Sequence, residues 1–186
     1  MPPLILASGS PRRRELLALL TLPFEVVISP IDENISGPVA DVVEELARRK
    51  AQAVASQRTS ATIIAADTLV SVDEHILSKP ADPDQAFQML QCLQGRSHQV
   101  YTGVAIHHEG VSHSFIEATT VTFRPMTSSE IWRYIDTGEP FDKAGGYGIQ
   151  GPGATFVNHI EGDYYAVMGL PVARLYERLV ALNIII

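Results

Sequence analysis

Apolar residues along this chain follow two alternating rhythms: short unbroken runs between turn residues, and longer stretches with apolar positions three or four apart. The first rhythm fits a buried strand and the second an amphipathic helix. LILAS at 4–8, behind the Pro2-Pro3 pair, reads as a buried strand. Ser10-Pro11 then opens a helix, with serine as the cap, proline in the first turn, and Leu16, Leu17 and Leu20 as the buried stripe. FEVVIS at 24–29 is a second strand. Residues 41–56 are a helix with Val43, Leu46, Ala47 and Ala51 inward. TIIAAD at 62–67 is a third strand, apolar enough to be covered on both faces, and TLVSV continues it or pairs beside it.

A helix follows at 83–93, then two strands at 98–108 and 112–124 around Glu109-Gly110. The pattern continues with a helix at 128–137 capped by Ser128 or Ser129, and a glycine-rich segment at 138–153. It closes with a short strand in TFVNHI, a turn region in DYYAVMGL and a helix at 171–182. Helices alternating with strands, one strand pair being antiparallel, predict an α/β fold with a mixed sheet.

The length of 186 residues fits a single domain, taken here as 1–186. A net charge of -7 argues against wrapping nucleic acid, which needs a broad basic surface, yet leaves room for a small anion held by a local cluster of cations. Cys92 is the sole cysteine, which forbids an internal disulfide and fits a reducing compartment; its helical setting predicts a packed thiol. The start of the chain lacks a signal-peptide pattern, and no apolar run nears the roughly 18 residues of a membrane helix. The expectation is a cytoplasmic protein with no membrane partner.

Candidate chemistry is concentrated in a few places. Ser8-Gly9-Ser10-Pro11-Arg12-Arg13-Arg14 joins a strand end to a helix start, where free N–H groups, hydroxyls and guanidinium groups together suit phosphate. An ordinary capped helix with solvated arginines competes with that reading, and the helical turn forbids all three arginines from facing one ligand. Asp67-Thr68 follows IIAA, where an aspartate at a strand end can hold Mg²⁺ or take a proton from water, or simply cap a turn. Asp32-Glu33 offers hard oxygen ligands, or a solvated loop pair. Lys50, Lys79 before Pro80, and Lys143 are surface lysines or phosphate ligands. The segment 138–151, GEPFDKAGGYGIQG, lets backbone approach a ligand closely, and Gln150 can read the edge of a base. Neither the Walker nor the Rossmann glycine spacing occurs in it, no zinc spacing links the histidines to Cys92, and no G-x-S-x-G elbow is present. His107 and His108, beside the hairpin turn, are expected to be exposed.

Six motifs in order, LASGSPRRRELL, AADTLV, LSKP, GRSHQVYTGVAI, GEPFDKAGGYGIQG and GDYYAVMGLP, span residues 6–171. Together they resemble the Maf family of nucleoside triphosphate pyrophosphatases. The resemblance implies an elongated mixed sheet flanked by helices, similar to the inosine triphosphatase fold, with two lobes around a central cleft. It implies Asp67 as the catalytic proton acceptor, and Arg12, Thr68 and Gln150 as the positions of substrate choice. Ser8, Ser10, Arg13, Lys50, Lys79 and Lys143 would surround the phosphates, and Glu33 with Asp67 would hold Mg²⁺ or Mn²⁺. The DKAGGYGIQG form is similar to the dTTP/UTP branch. A purine or 7-methyl-GTP pyrophosphatase and a nucleotide-binding regulator of cell division stand as alternatives. The sequence leaves monomer and homodimer open.

Overall fold

The computed structural model describes residues 2–185 and contains one seven-stranded sheet with six α-helices. The strands are β1 (Leu4–Leu6), β2 (Glu25–Val26), β3 (Thr62–Val72), β4 (His75–Leu77), β5 (Ser97–His108), β6 (Val111–Phe123) and β7 (Val157–Glu161). Their order is β2-β1-β3-β5-β6-β7, with β4 also paired to β3. β1 lies parallel to β2 and β3, while the β3–β4 and β6–β7 pairs are antiparallel. The sheet is therefore mixed, as the alternation of rhythms implied. The helices are α1 (Pro11–Ala18), α2 (Val39–Ala55), α3 (Pro83–Leu93), α4 (Ser128–Ile135), α5 (Tyr164–Met168) and α6 (Val172–Ala181).

The chain divides into two compact units. The first holds the described residues up to Asp67, Thr102–Glu117, and those from Gly169 onward; the second holds Thr68–Tyr101 and Ala118–Met168. Strands β3, β5 and β6 are long enough to contribute to both. Each unit has its own core. In the first, Ile5, Ala47, Ala51, Val54, Ile63, Ala65 and Ala105 pack together. In the second, Val70, Leu90, Leu93, Phe123, Ile131, Tyr147 and Phe156 do so. Each large apolar side chain removed from water in this way contributes roughly 1.5–3 kcal/mol.

Local chemistry explains the elements that frame the candidate residues. α1 starts where expected: Ser10 is its N-cap, accepting from the Arg13 N–H at 3.4 Å, and Pro11 occupies the first turn. Leu16 and Leu17 are buried, whereas Leu20 is half-buried. α2 buries the predicted Val43, Leu46, Ala47 and Ala51, together with Val42, Val54 and Ala55. Gly103 in β5 allows this helix to come close: a Cβ built there would lie 2.5 Å from the Val43 carbonyl oxygen. Glu109 and Gly110, both at positive φ, form the two-residue turn between β5 and β6.

Several expectations are corrected. The strand expected at 24–29 shrinks to Glu25–Val26, both exposed, because its apolar run has only one strand beside it. DYYAVMGL is a short helix, not a turn. The cap of α4 is Thr127, not Ser128 or Ser129; its hydroxyl and the Glu130 carboxylate make a reciprocal capping box. Cys92 is exposed on α3, not packed, since Met89, Leu90 and Leu93 fill the inward stripe. His107 and His108 are half-buried rather than exposed, and Thr62 Oγ1 lies 2.8 Å from His108 Nδ1.

Candidate active site

In the first unit, the end of β1 leads through Ser8 and Gly9 into α1. The Ser10 N–H donates to Ser8 Oγ at 3.2 Å, so the two serines fix one another at the helix start. Arg13 is one turn in. Its Nε donates to the Gly169 carbonyl at 2.9 Å and an Nη approaches Ser8 Oγ at 3.5 Å. Burial pushes the Arg13 guanidinium below its usual pKa; Asp67 opposes that shift, Arg12 adds to it, and Glu33 opposes it. Arg13, Glu33 and Asp67 therefore share one electrostatic neighbourhood, although they are far apart in sequence, and Arg12 adds its charge as the chain neighbour of Arg13. Arg14 is exposed and points its charge at solvent, as the helical turn requires of one arginine.

Asp67 does not end a strand. TLVSV continues the strand without a break, so β3 runs through Asp67 to Val72. Asp67 is instead a buried mid-strand carboxylate, 8% exposed, within an apolar stretch. Such a group requires a partner. Lys50, projecting from α2, supplies it: its Nζ is 2.5 Å from Asp67 Oδ1 and 2.8 Å from Glu33 Oε1. The Lys50 and Asp67 side chains are each 11% exposed, while Glu33 is 60% exposed. One ammonium thus joins an exposed loop carboxylate to a buried strand carboxylate. With Arg12 and Arg13, this part of the acidic chain gathers three cationic side chains against two carboxylates. That local excess of positive charge suits an anion.

The remaining predicted residues belong to the second unit. Thr68 is half-buried, next to Asp67 along β3. Lys79 is exposed beyond β4, beside buried Pro80. The Gly145 N–H donates to the Ser78 carbonyl at 3.2 Å, which brings the Lys79-Pro80 segment against the glycine-rich one. The glycine-rich segment and the residues just after it fold into three short 3-10 turns, Glu139–Asp142, Ala144–Gly146 and Pro152–Phe156. Gly145, at φ 73°, presses on Val70, where a Cβ would come within 3.0 Å. Lys143 faces inward: Nζ donates to the Asp142 carboxylate at 2.7 Å and the Glu139 carbonyl at 3.1 Å, and its stem crosses Gly148. Gln150 is exposed at the end of the segment.

The structure therefore brings Ser8, Ser10, Arg12, Arg13, Glu33, Lys50 and Asp67 together in the first unit, and Thr68, Lys79, Lys143 and Gln150 are carried by the second. Sequence reasoning missed the groups that hold the glycine-rich segment. The Gly148 N–H donates to Tyr134 Oη at 3.0 Å, the Gly153 N–H donates to Glu139 Oε2 at 3.0 Å, and His98 Nε2 lies 2.6 Å from Tyr147 Oη. His98, Glu139 and Tyr147 lie inside the quoted motifs, whereas Tyr134 lies outside them, on α4.

Glu33 and Asp67 also fit a divalent cation in a limited way. Their donors are hard oxygens, and they flank a position already taken by a cation, the Lys50 ammonium. Among the described residues no group of three or more His, Cys, Asp or Glu side chains could hold a metal. Two carboxylates alone match the habit of Mg²⁺, which completes its shell with water and substrate phosphates.

The sequence model of the family described as Maf-like protein matches residues 3–182. A protein of Bacillus cytotoxicus named dTTP/UTP pyrophosphatase is 54% identical over 182 residues, covering 96% of this chain and 95% of its own length. Two Bacillus cereus proteins of the same name are 51% identical over 182 residues and 50% identical over 187 residues; the second alignment covers 99% of this chain and 97% of the relative. Among solved structures, the Staphylococcus aureus Ham1 protein superposes with a TM-score of 0.50 at 17% identity, covering 65% of this chain and 71% of that one, a likeness of fold alone.

Proposed function

The chain belongs to the Maf family, and on that premise we propose how its residues divide the work of the family's reaction. The protein is a dTTP/UTP pyrophosphatase, a hydrolase that converts these nucleoside triphosphates to the monophosphate and pyrophosphate. Our assignment of roles rests on one observation: Lys50 joins the Glu33 and Asp67 carboxylates beside the Ser8–Arg13 helix start.

Ser8, Ser10 and Arg13 receive phosphate oxygens, which match the hydroxyls, the helix-start N–H groups and the guanidinium. Lys50, exchanging a carboxylate for phosphate, adds charge where the anhydride breaks. Asp67 takes a proton from water as the water oxygen bonds to the α-phosphorus. The bond from that phosphorus to the bridging oxygen breaks, and the electron pair leaves with pyrophosphate. A divalent cation held by Glu33 and Asp67 would supply charge neutralisation on the phosphate oxygens. Lys79 and Lys143 contribute further positive charge, Lys143 after release from Asp142. Catalysis is mainly placement and electrostatic stabilisation.

Arg12, Thr68 and Gln150 select the nucleotide. The amide of Gln150 can donate and accept, so it complements the N3–H and adjacent carbonyl of uracil or thymine. Cytosine presents the opposite pattern, and a site built on such bonds rejects it. No helix among the described residues is long and apolar enough to cross a membrane. The one thiol supports our assignment of the protein to the cytoplasm.

Asp67→Asn tests the scheme. Pyrophosphate release from dTTP with Mg²⁺ or Mn²⁺ is expected to fall roughly 10²–10⁴-fold at a temperature where the variant is folded, as its circular dichroism would show. Full activity in that variant would reassign the proton acceptor. A panel of dTTP, UTP, CTP, ITP and 7-methyl-GTP tests base choice, and equal rates on UTP and CTP would remove Gln150 from its role.

A further inference from the structure

Gly145, Gly146 and Gly148 offer no side chain by which the segment before Gln150 can be fixed. Two buried side chains remain there, Ile149 and Tyr147. Ile149 packs by apolar contact alone, while Tyr147, three residues ahead of Gln150, adds a directed side-chain hydrogen bond to the backbone bond that Gly148 N–H makes to Tyr134. Tyr147 is buried, and its ring meets those of Phe123 and His98 edge-on at 4.7 Å and 5.3 Å. Its hydroxyl lies 2.6 Å from His98 Nε2. His98 comes from β5, is 3% exposed and also packs edge-on against Phe123 at 5.0 Å.

This is a costly way to fill a core. A phenylalanine at 147 facing an apolar residue at 98 would occupy the space without desolvating polar groups. Instead a hydroxyl and an imidazole are buried, and His98 Nδ1 has no hydrogen-bond partner among the described residues. A buried polar group with an unmet valence calls for a reason. The reason here is directional. Apolar contacts let a ring slide and turn, whereas a hydrogen bond fixes the distance and angle of the hydroxyl, and with them the backbone on either side. Burial, followed by the nearby Arg96 charge, pushes the His98 pKa down to about 4, so the bond stays between neutral partners at neutral pH.

We propose that His98 is a positioning residue for base selection: through the Tyr147 hydroxyl it fixes the segment that presents Gln150. The proposal rests on the reading of Gln150 given above. His98 touches no substrate; it acts through Tyr147.

The test compares wild type, Tyr147→Phe, His98→Phe, the double variant and His98→Gln, whose amide can reach the same hydroxyl. Tyr147→Phe removes one oxygen and keeps the ring, so it guards against simple unfolding of the His98 variant. KM for UTP is expected to rise about tenfold with kcat nearly unchanged, because the lost contact serves bound substrate and transition state alike. The preference for UTP over CTP falls by a similar factor. The double variant is no worse than either single one, and His98→Gln recovers most of the loss. Amide exchange across residues 145–150 quickens about tenfold, while exchange in α3 is unchanged. A merely structural pair would lower the melting temperature and leave the KM-to-kcat split, the UTP-to-CTP ratio and local exchange as they are; that result overturns the proposal. A wild type without preference for UTP would refute the Gln150 reading by itself, and the exchange measurement would still decide whether His98 fixes the segment.

Discussion

Gly103→Ala should damage both the stability and the activity of this protein, although Gly103 touches no proposed ligand. A Cβ at this position would lie 2.5 Å from the Val43 carbonyl oxygen, 2.8 Å from its carbon and 3.0 Å from the Glu44 nitrogen. Ordinary non-bonded separations are about 3.5–4.0 Å. The α2 backbone must therefore retreat from β5 by about 1 Å, and backbone atoms cannot swing aside as a side-chain tip can. Overpacking costs about 1–3 kcal/mol, and a clash with main chain belongs in the upper part of that range. At this chain length each kcal/mol lowers the melting temperature by about 2–4 °C, so a fall of about 4–12 °C is expected. The same helix carries Lys50, whose ammonium joins Glu33 and Asp67. Misplacement of a site group by about 1 Å can cost up to about 10²-fold in rate, so kcat/KM for dTTP should drop at least about tenfold at a temperature where the variant is folded. Calorimetry and a pyrophosphate-release assay measure the two effects. Gly9→Ala is the stability control, because its Cβ would meet Ile28 at an ordinary 3.7 Å. A melting temperature within a degree of wild type, with full activity, would show that α2 is not held against β5 as described.

Three further outcomes follow from other parts of the molecule. Burial pushes the His98 pKa down to about 4 from 6.5 for the free side chain, so protonation favours the unfolded chain, and about 3 kcal/mol of the stability present above pH 6.5 is lost as the pH falls to 4. Denaturant midpoints for wild type should decline more steeply across that window than those of His98→Gln; parallel curves would contradict the burial argument. Lys50→Met should lower kcat/KM for dTTP by about 10²-fold or more through loss of preorganised positive charge, and an active variant would move Lys50 out of the site. Thr127→Ala breaks the capping box that starts α4 and should cost about 1 kcal/mol, seen as a melting temperature about 2–4 °C lower with unchanged kinetics.

The amino-acid sequence by itself determined the local elements and the residue types of the site. The limits of α3 could be read directly, and the Ser10-Pro11 start of α1 and the inward stripe of α2 were plain from spacing and caps. These features depend on neighbours within a turn or two, which periodicity reports. Serines, arginines and carboxylates suited to phosphate and metal were visible as types in six ordered motifs. Tertiary structure alone decided which of them meet. Asp67 became a buried mid-strand group because its strand continues through it, and its need for a partner made Lys50, 17 residues away, the bridge to Glu33. The pairing of His98 with Tyr147, 49 residues apart, and the exposure of Cys92 are of the same kind. Burial, and the charge or hydroxyl that must answer it, is set by chain segments brought together from a distance, and no local pattern carries that information.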